Sequence, residues 1–204
     1  MDTLLPGLHW WTTFHEGIGF PVQSAYAEFA RVLIDPRVPD EGFTAFAGLA
    51  APERIVLTNR HHYRHSDRFA EHFGGLEVVC HAAGLHEFEG TDRTVAAFAW
   101  GDELAPGVIA REVGVLCPEE TALELRTGPG ALAFADAIAR WEPHGPLAFV
   151  PDGLLGDDPP AIKAGLRAAF RRLADEVEFD ALLLGHGEPV ASGGRAELLA
   201  FAAG

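Results

Sequence analysis

Cysteine, basic residues and long apolar runs are all scarce in this 204-residue chain, and each scarcity excludes a class of protein. The two cysteines, Cys80 and Cys117, form neither a zinc-type spacing nor a disulfide framework, so we expect reduced thiols in a cytoplasmic protein. Fifteen Lys and Arg residues against 30 Asp and Glu give a net charge of −15. This charge repels phosphate backbones and anionic lipids, so nucleic acids and membranes are not expected partners.

Membrane insertion and secretion are not expected either. No stretch approaches the ~20 consecutive apolar residues that a membrane span needs. The first residues, MDTLLPGLHWW, lack the basic start and the long apolar run of a signal peptide. The chain is nevertheless 48% hydrophobic and shows no internal repeat. These properties predict one compact domain that spans residues 1–204.

Short strands and helices alternate along the chain. Apolar runs bounded by turn residues predict the strands LHWWTTF, SAYAEFA, RVLIDP, ERIVLT, EVVCHA, TVAAFAW, VIAREVG, TALEL and FDALLLG. Apolar residues at helical spacing predict helices over 41–50, DRFAEHF, the segment after Asp158 and the terminal GRAELLAFAAG. Ser66 is the expected N-cap of the second helix and Gly74 its end.

One loop concentrates the nitrogen ligands of the chain. VLTNRHHYRHSDRFAEHFGG, residues 56–75, holds four of the ten histidines, three of them in the segment HHYRH. A buried strand stops at Thr58 and a helix follows, so the loop lies at the carboxyl end of a strand. Ligands and catalytic groups of layered α/β proteins gather at such ends.

The order of the motifs resembles the metallo-β-lactamase superfamily over nearly the whole chain. LLPGLHWW and SAYAEFARVLIDP resemble its opening strands. TALELRTGPGALAFADAI resembles the strand pair that delivers a metal-bridging aspartate, which would be Asp136, and FDALLLGHGEPV resembles the last motif, which makes His186 a ligand. The resemblance implies a mixed α/β fold, a four-layer αββα sandwich.

The histidine motif of that family, His-x-His-x-Asp-His, is degenerate here. With one inserted residue, Arg60, His62, Arg64 and His65 occupy its four ligand places; without it, Asn59, His61, Tyr63 and Arg64 would do so. Arginine has no lone pair for a metal. The family's middle histidine is also missing from EVGVLCPEETALEL, where Leu116 or a neighbour stands in its place.

Two functional hypotheses follow from the resemblance. In the first, the protein is a hydrolase of a small ester, thioester or lactone with at most one zinc or iron ion. His65, Asp136 and His186 would hold the metal, with His62 left from the other metal site. The metal-bound hydroxide would attack a carbonyl, and Arg64 would stabilise the oxyanion.

In the second hypothesis the protein is a metal-free, catalytically inactive member of the family. The guanidinium groups of Arg60 and Arg64 would neutralise Asp136 and bind a small anionic ligand. A purely structural role has no positive sign in the sequence. His61 is expected to point away from His62, His81 and His86 are expected to be structural or surface residues, and Asp152 is an alternative carboxylate in a loop.

Overall fold

Two β-sheets dominate the computed structural model, which describes all residues from 1 to 204. The first sheet has seven strands in chain order: β1 (Asp2–Leu5), β2 (Leu8–His15), β3 (Phe20–Ala27), β4 (Val32–Ile34), β5 (Arg54–Leu57), β6 (Glu77–His81) and β7 (Ala96–Phe98). The second sheet has five, in the order β12-β11-β10-β9-β8: β8 (Glu103–Ala105), β9 (Val108–Glu112), β10 (Thr121–Leu125), β11 (Ala131–Ala133) and β12 (Ala181–Leu183).

Three α-helices cover the outer faces of the sheets: α1 (Ser66–Phe73), α2 (Pro159–Glu176) and α3 (Gly194–Ala203). Gly74 ends α1 at a φ of 92°, and the Asp158 carboxylate accepts a hydrogen bond from the amide of Ala161 at the start of α2, both as the sequence predicts. None of these helices has the length and apolar character to cross a lipid bilayer.

Two local predictions are wrong. The N-cap of α1 is His65, because the hydroxyl of Ser66 lies inside the helix and donates to the carbonyl of Tyr63. The helix predicted over 41–50 is only a 3-10 turn, Gly42–Phe46, and it ends where Ala47 adopts an extended backbone. The apolar spacing of that segment is real, since Phe46 is buried, but one short turn is enough to bury it.

The hydrophobic core consists of three clusters, and each fills the space between two neighbouring layers of the αββα arrangement. Side chains of both sheets meet in a central cluster that includes Leu8, Val56 and Leu123. A second cluster lies between the five-stranded sheet and helices α2 and α3, and a third lies between the seven-stranded sheet and α1. The sheets therefore pack face to face with helices outside, which is the fold class that the sequence predicts.

The parallel strand pairs decide where the functional groups lie. Strands β4 and β5 are parallel, so the residues that follow them, Asp35 and Thr58, emerge side by side. Strands β11 and β12 are also parallel, so the loops that carry Asp136 and His186 leave the second sheet together. A hydrogen bond of 3.0 Å from the Gln23 amide to the Gly185 carbonyl joins the two sheets at this edge. Four loops from two sheets therefore converge on one place.

Candidate functional site

Asp35 anchors the site from the first sheet. It follows β4 with a left-handed φ of 46° and is only 4% exposed. Its carboxylate accepts hydrogen bonds from the Thr58 amide at 2.8 Å, from the Thr58 hydroxyl, and from Nδ1 of His62 at 2.9 Å. Burial opposes ionisation, but the charges of His62 and Arg64 and these hydrogen bonds outweigh it and lower the pKa of Asp35.

His62 connects Asp35 with the second sheet. Its Nε2 atom lies 3.4 Å from Oδ1 of Asp136, and Nε2 of His186 lies 3.4 Å from the same oxygen. The Nδ1–H of His186 donates to the Pro21 carbonyl at 3.1 Å, which fixes the orientation of that ring. The structure thus brings together three of the four predicted metal ligands, His62, Asp136 and His186.

Protonation states follow from this arrangement. Burial and the Arg64 charge disfavour the cationic form of His62, but the carboxylates of Asp136 and Asp35 outweigh them and raise its pKa to about 9. For Asp136, burial is likewise outweighed, here by His62 and His186, and its pKa lies well below the ordinary value. At neutral pH an imidazolium therefore stands between two carboxylates, and each carboxylate has a positive neighbour.

Arg64 and His65 point in different directions. Arg64 has an unusual backbone, with φ 48° and ψ −116°, directly after the 3-10 turn Arg60–Tyr63. Its Nη1 donates to the carbonyls of Gln23 and Asp35, so the guanidinium is buried beneath the site. His65, one residue later, accepts a 3.0 Å hydrogen bond from the Val38 amide at Nδ1. The structure does not bring His65 to Asp136 and His186.

Arg60 lies closer to solvent, and carboxylates already hold it. Its Nη1 is bonded to Glu119, whose side chain is fully buried, and its Nε lies 3.8 Å from Glu87. Arg60 therefore does not face Asp136 as a free cation, in contrast to the arrangement that the second hypothesis requires.

Glu120 is a buried acid that the sequence did not reveal. It is 0% exposed, and neither carboxyl oxygen has a hydrogen-bond partner. Burial and the nearby charge of Asp136 raise its pKa to about 8, so the group is largely protonated at neutral pH. The only sequence signal was two consecutive acidic residues at the start of a strand, which is also common on protein surfaces.

Several other predicted positions lie outside the cluster. His81 stacks on Trp100 at 4.1 Å and accepts a hydrogen bond from the Ala83 amide, and His86 contacts the Ala83 carbonyl. Asp152 pairs with Lys163. These three side chains have structural partners, as the sequence suggested for the two histidines.

A cleft of about 800 Å³ opens beside the cluster. Seven of its thirteen lining residues are hydrophobic. The lining consists of Ile18, Phe20, Asn59, Arg60, His61, Leu116, Cys117, Asp136, Trp141, Val150, Pro151, Leu154 and His186. His61 therefore borders the cleft, although it was expected to point away, and the region of the missing middle histidine contributes Leu116 and Cys117. The cleft has the size and the mixed lining of a small-molecule site.

The site has no clear metal-binding group. A catalytic zinc needs three protein ligands with free lone pairs around one point. No group of three His, Cys, Asp or Glu side chains is arranged in that way, and His65, a predicted ligand of such a site, is bonded to the Val38 amide instead. The buried Oδ1 of Asp136 has no hydrogen-bond partner, but the cations nearest to it are protein side chains.

Comparison with solved structures identifies the fold. The chain superposes on a metallo-β-lactamase from Erythrobacter litoralis with a TM-score of 0.68 and 19% identity, covering 99% of this chain and 95% of that one. A metallo-β-lactamase family protein from Thermus thermophilus gives a TM-score of 0.67 and 19% identity, covering 98% and 80%. A flavo di-iron protein from Thermotoga maritima gives 0.58 and 16%, covering 90% and 51%. The chain has the metallo-β-lactamase fold.

Sequence comparisons add nothing to this assignment. No protein-family model matches the chain. No curated protein matches it either. The likeness is therefore one of fold, and the function has to be argued from the site.

Proposed function

We propose that the protein binds a small organic molecule in the cleft beside Asp136 and His186, and that a metal ion takes no part in this binding. The cleft carries the proposal. Large hydrophobic side chains are exposed at six positions of the chain, and four of them line this cleft, namely Ile18, Phe20, Trp141 and Leu154. Apolar surface concentrated at the rim of one cleft is typical of a binding site.

The aromatic side chains form one wall of the cleft. The rings of Phe20 and Trp141 lie 5.3 Å apart at 74°, and each lies within 6 Å of the His186 ring. Such edge-to-face packing holds the rings in place before a ligand arrives. The wall therefore supplies a preformed apolar surface next to the polar groups at the base of the cleft.

A neutral, hydrophobic fluorophore tests the proposal. N-phenyl-1-naphthylamine should fluoresce on binding to the purified protein, with or without a chelator. Leu154→Arg, at the rim of the cleft, should abolish the signal, because a guanidinium there cannot pack against the apolar probe. Phe14→Arg, at another exposed hydrophobic side chain that lies outside the cleft lining, should leave it unchanged. Equal loss in both variants, or no signal from the native protein, would refute the proposal.

Hydrolysis of a small ester, thioester or lactone is the second candidate. One observation favours it: His186 and Asp136 both line the cleft and face each other at 3.4 Å. An imidazole beside a carboxylate can transfer protons to and from a bound ester. Turnover of p-nitrophenyl butyrate that survives chelator treatment and disappears in His186→Ala would support this candidate.

A further inference from the structure

The indole of Trp141 is held in one orientation although it lies in the wall of the cleft. Its Nε1–H donates to the Phe149 carbonyl at 3.0 Å, and a short antiparallel bridge between Ala139 and Ala148 pairs the chain segments that carry these two residues. The side chain nevertheless remains 36% exposed. Its exposed surface therefore has a defined position before a ligand arrives, which spares the ligand the cost of ordering this side chain.

Trp141 belongs to a cluster of three rings with Phe20 and His186. The three ring centroids lie 5.3, 5.6 and 5.9 Å from one another. The planes of Trp141 and His186 are inclined by only 30°, whereas the Phe20 ring is inclined by 74° to the first and by 63° to the second. Hydrogen bonds from Trp141 to the Phe149 carbonyl and from His186 to the Pro21 carbonyl hold two of the three rings.

This inclination suits an aromatic ring in the cleft. A flat ring that lies parallel to Trp141 is inclined by the same 74° to Phe20. It can therefore stack in an offset manner on the indole and make an edge contact with Phe20, and these are the two arrangements that aromatic pairs prefer. The cluster thus offers an aromatic ligand more than the burial of apolar area.

The other large apolar side chains of the cleft do not distinguish ring types. Ile18, Leu116 and Leu154 are aliphatic, and they stabilise any apolar ligand in proportion to the area that it buries. A saturated ring buries at least as much area as the aromatic ring with the same carbon skeleton. Discrimination between the two ring types therefore depends on Trp141 and Phe20.

From the geometry of this ring cluster we infer that the ligand contains a flat aromatic ring and that Trp141 selects it by stacking. This inference rests on the proposed function and names the class of ligand that the cleft takes. A saturated ring is puckered and carries hydrogen atoms on both faces, so it cannot approach the indole face as closely. The interaction between the π systems is then lost, while the burial of area remains.

Two uncharged probes with one carbon skeleton test the inference: 2-naphthol and decahydro-2-naphthol. Isothermal titration calorimetry on the native protein at about pH 7 should find 2-naphthol bound at least about threefold more tightly. Burial of area alone predicts the opposite order, because the saturated probe has the larger apolar surface. Equal or tighter binding of decahydro-2-naphthol would overturn the inference while the proposed function stands.

Substitutions at Trp141 test whether this residue is responsible for the selectivity. In Trp141→Leu the ratio of the two affinities should fall to about one or below, because an aliphatic side chain cannot stack. In Trp141→Phe a ring remains, and most of the native ratio should be retained. Phe29→Leu is the matched control, since Phe29 is also 36% exposed but lies outside the cleft lining, and its ratio should equal the native one. A native ratio in folded Trp141→Leu, or an equal fall in Phe29→Leu, would refute the role of Trp141.

The native protein provides a second readout that decides the inference if Trp141→Leu does not fold. The four tryptophans give four indole N–H signals in a proton–nitrogen correlation spectrum, and comparison with Trp141→Phe assigns the signal of Trp141. Saturating 2-naphthol should shift this signal more than saturating decahydro-2-naphthol does, because only the aromatic probe carries a ring current. Equal shifts would contradict stacking. If neither probe binds and the fluorophore gives no signal, the proposed function itself is refuted.

Discussion

The imidazole of His62 lies between two carboxylates from different sheets, with Nδ1 2.9 Å from Asp35 and Nε2 3.4 Å from Asp136. Both ring nitrogens therefore face acceptors, and the ring carries a proton on each at neutral pH. Two of these three residues, His62 and Asp136, are positions at which the family resemblance implies metal ligands. The effects of this pairing on metal binding and on the free energy of unfolding can be measured separately.

Metal content is the first prediction. Protein purified without a histidine tag and incubated with excess zinc should retain less than about 0.1 equivalent after desalting. A zinc ion would have to displace the proton on Nε2 of His62 and approach the positive charge of Arg64. Elemental analysis makes the measurement, with Asp136→Ala as the comparison. One equivalent of zinc or iron that disappears in Asp136→Ala would restore the mononuclear hydrolase hypothesis.

Removal of Asp35 should destabilise the fold strongly. In Asp35→Ala the imidazolium of His62 and the Thr58 amide lose their buried partner, and we expect a loss of about 3 to 5 kcal/mol in the free energy of unfolding. Urea denaturation monitored by circular dichroism measures it. The matched control is Glu53→Ala, which breaks an exposed pair with Arg31 and should have little effect. Similar losses in both variants would contradict a special role for Asp35.

Glu120 should make the stability depend on pH. Its pKa is about 8 in the folded chain against an ordinary value of 4.5, so the folded state binds the proton more tightly than the unfolded state. The contribution of Glu120 to the free energy of unfolding is complete below about pH 4.5 and is lost as the pH rises to about 8. The stability of Glu120→Gln relative to the native protein should therefore increase over that interval and level off above it.

Urea denaturation at several pH values tests the Glu120 prediction. The difference between variant and native protein cancels the contributions of titrating groups that do not interact with Glu120. A difference that is constant with pH would show that Glu120 is not the responsible group.

Gly187 should tolerate no side chain. Its φ is 91°, and a Cβ atom there would clash with the Arg140 carbonyl group. Gly187→Ala should cost more than about 3 kcal/mol and displace His186 beside it. Gly193→Ala is the control, since Gly193 also has a positive φ, 73°, but has open space around it, and the cost should be about 1 kcal/mol. Thermal unfolding and fluorophore binding compare the two, and equal effects would argue against the clash.

The fold was largely predictable because burial patterns and turn residues are local properties. The strand ERIVLT, the capped helix after Asp158 and the terminal helix are present near their predicted positions. Strands β1 and β8 were missed, since β1 is mostly exposed and β8 has only three residues between two turns. Motif order then supplied the αββα arrangement, which no single segment specifies.

The site was only partly predictable because it depends on backbone geometry within one loop. The sequence indicated Asp136 and His186 correctly as neighbours, but it could not separate His62, which faces them, from His65, which is turned towards Val38. Arg64 lies between these two histidines and has a left-handed φ, a conformation that the presence of an arginine does not predict. The partners of Arg60 and Arg64 are likewise distant in sequence, so their engagement by Glu119 and by main-chain carbonyls was not foreseeable.

The hydrogen bond from the Gln23 amide to the Gly185 carbonyl ties the two sheets together next to His186. The two sheets can therefore move apart here only if this bond breaks, a motion that exposes the Gln23 amide to solvent. Neither Gln23 nor Gly185 lines the cleft, whose lining includes the exposed side chains of Ile18 and Leu154. Deuterium exchange at the Gln23 amide would then proceed at the rate of sheet separation. This rate would not depend on ligand binding or release.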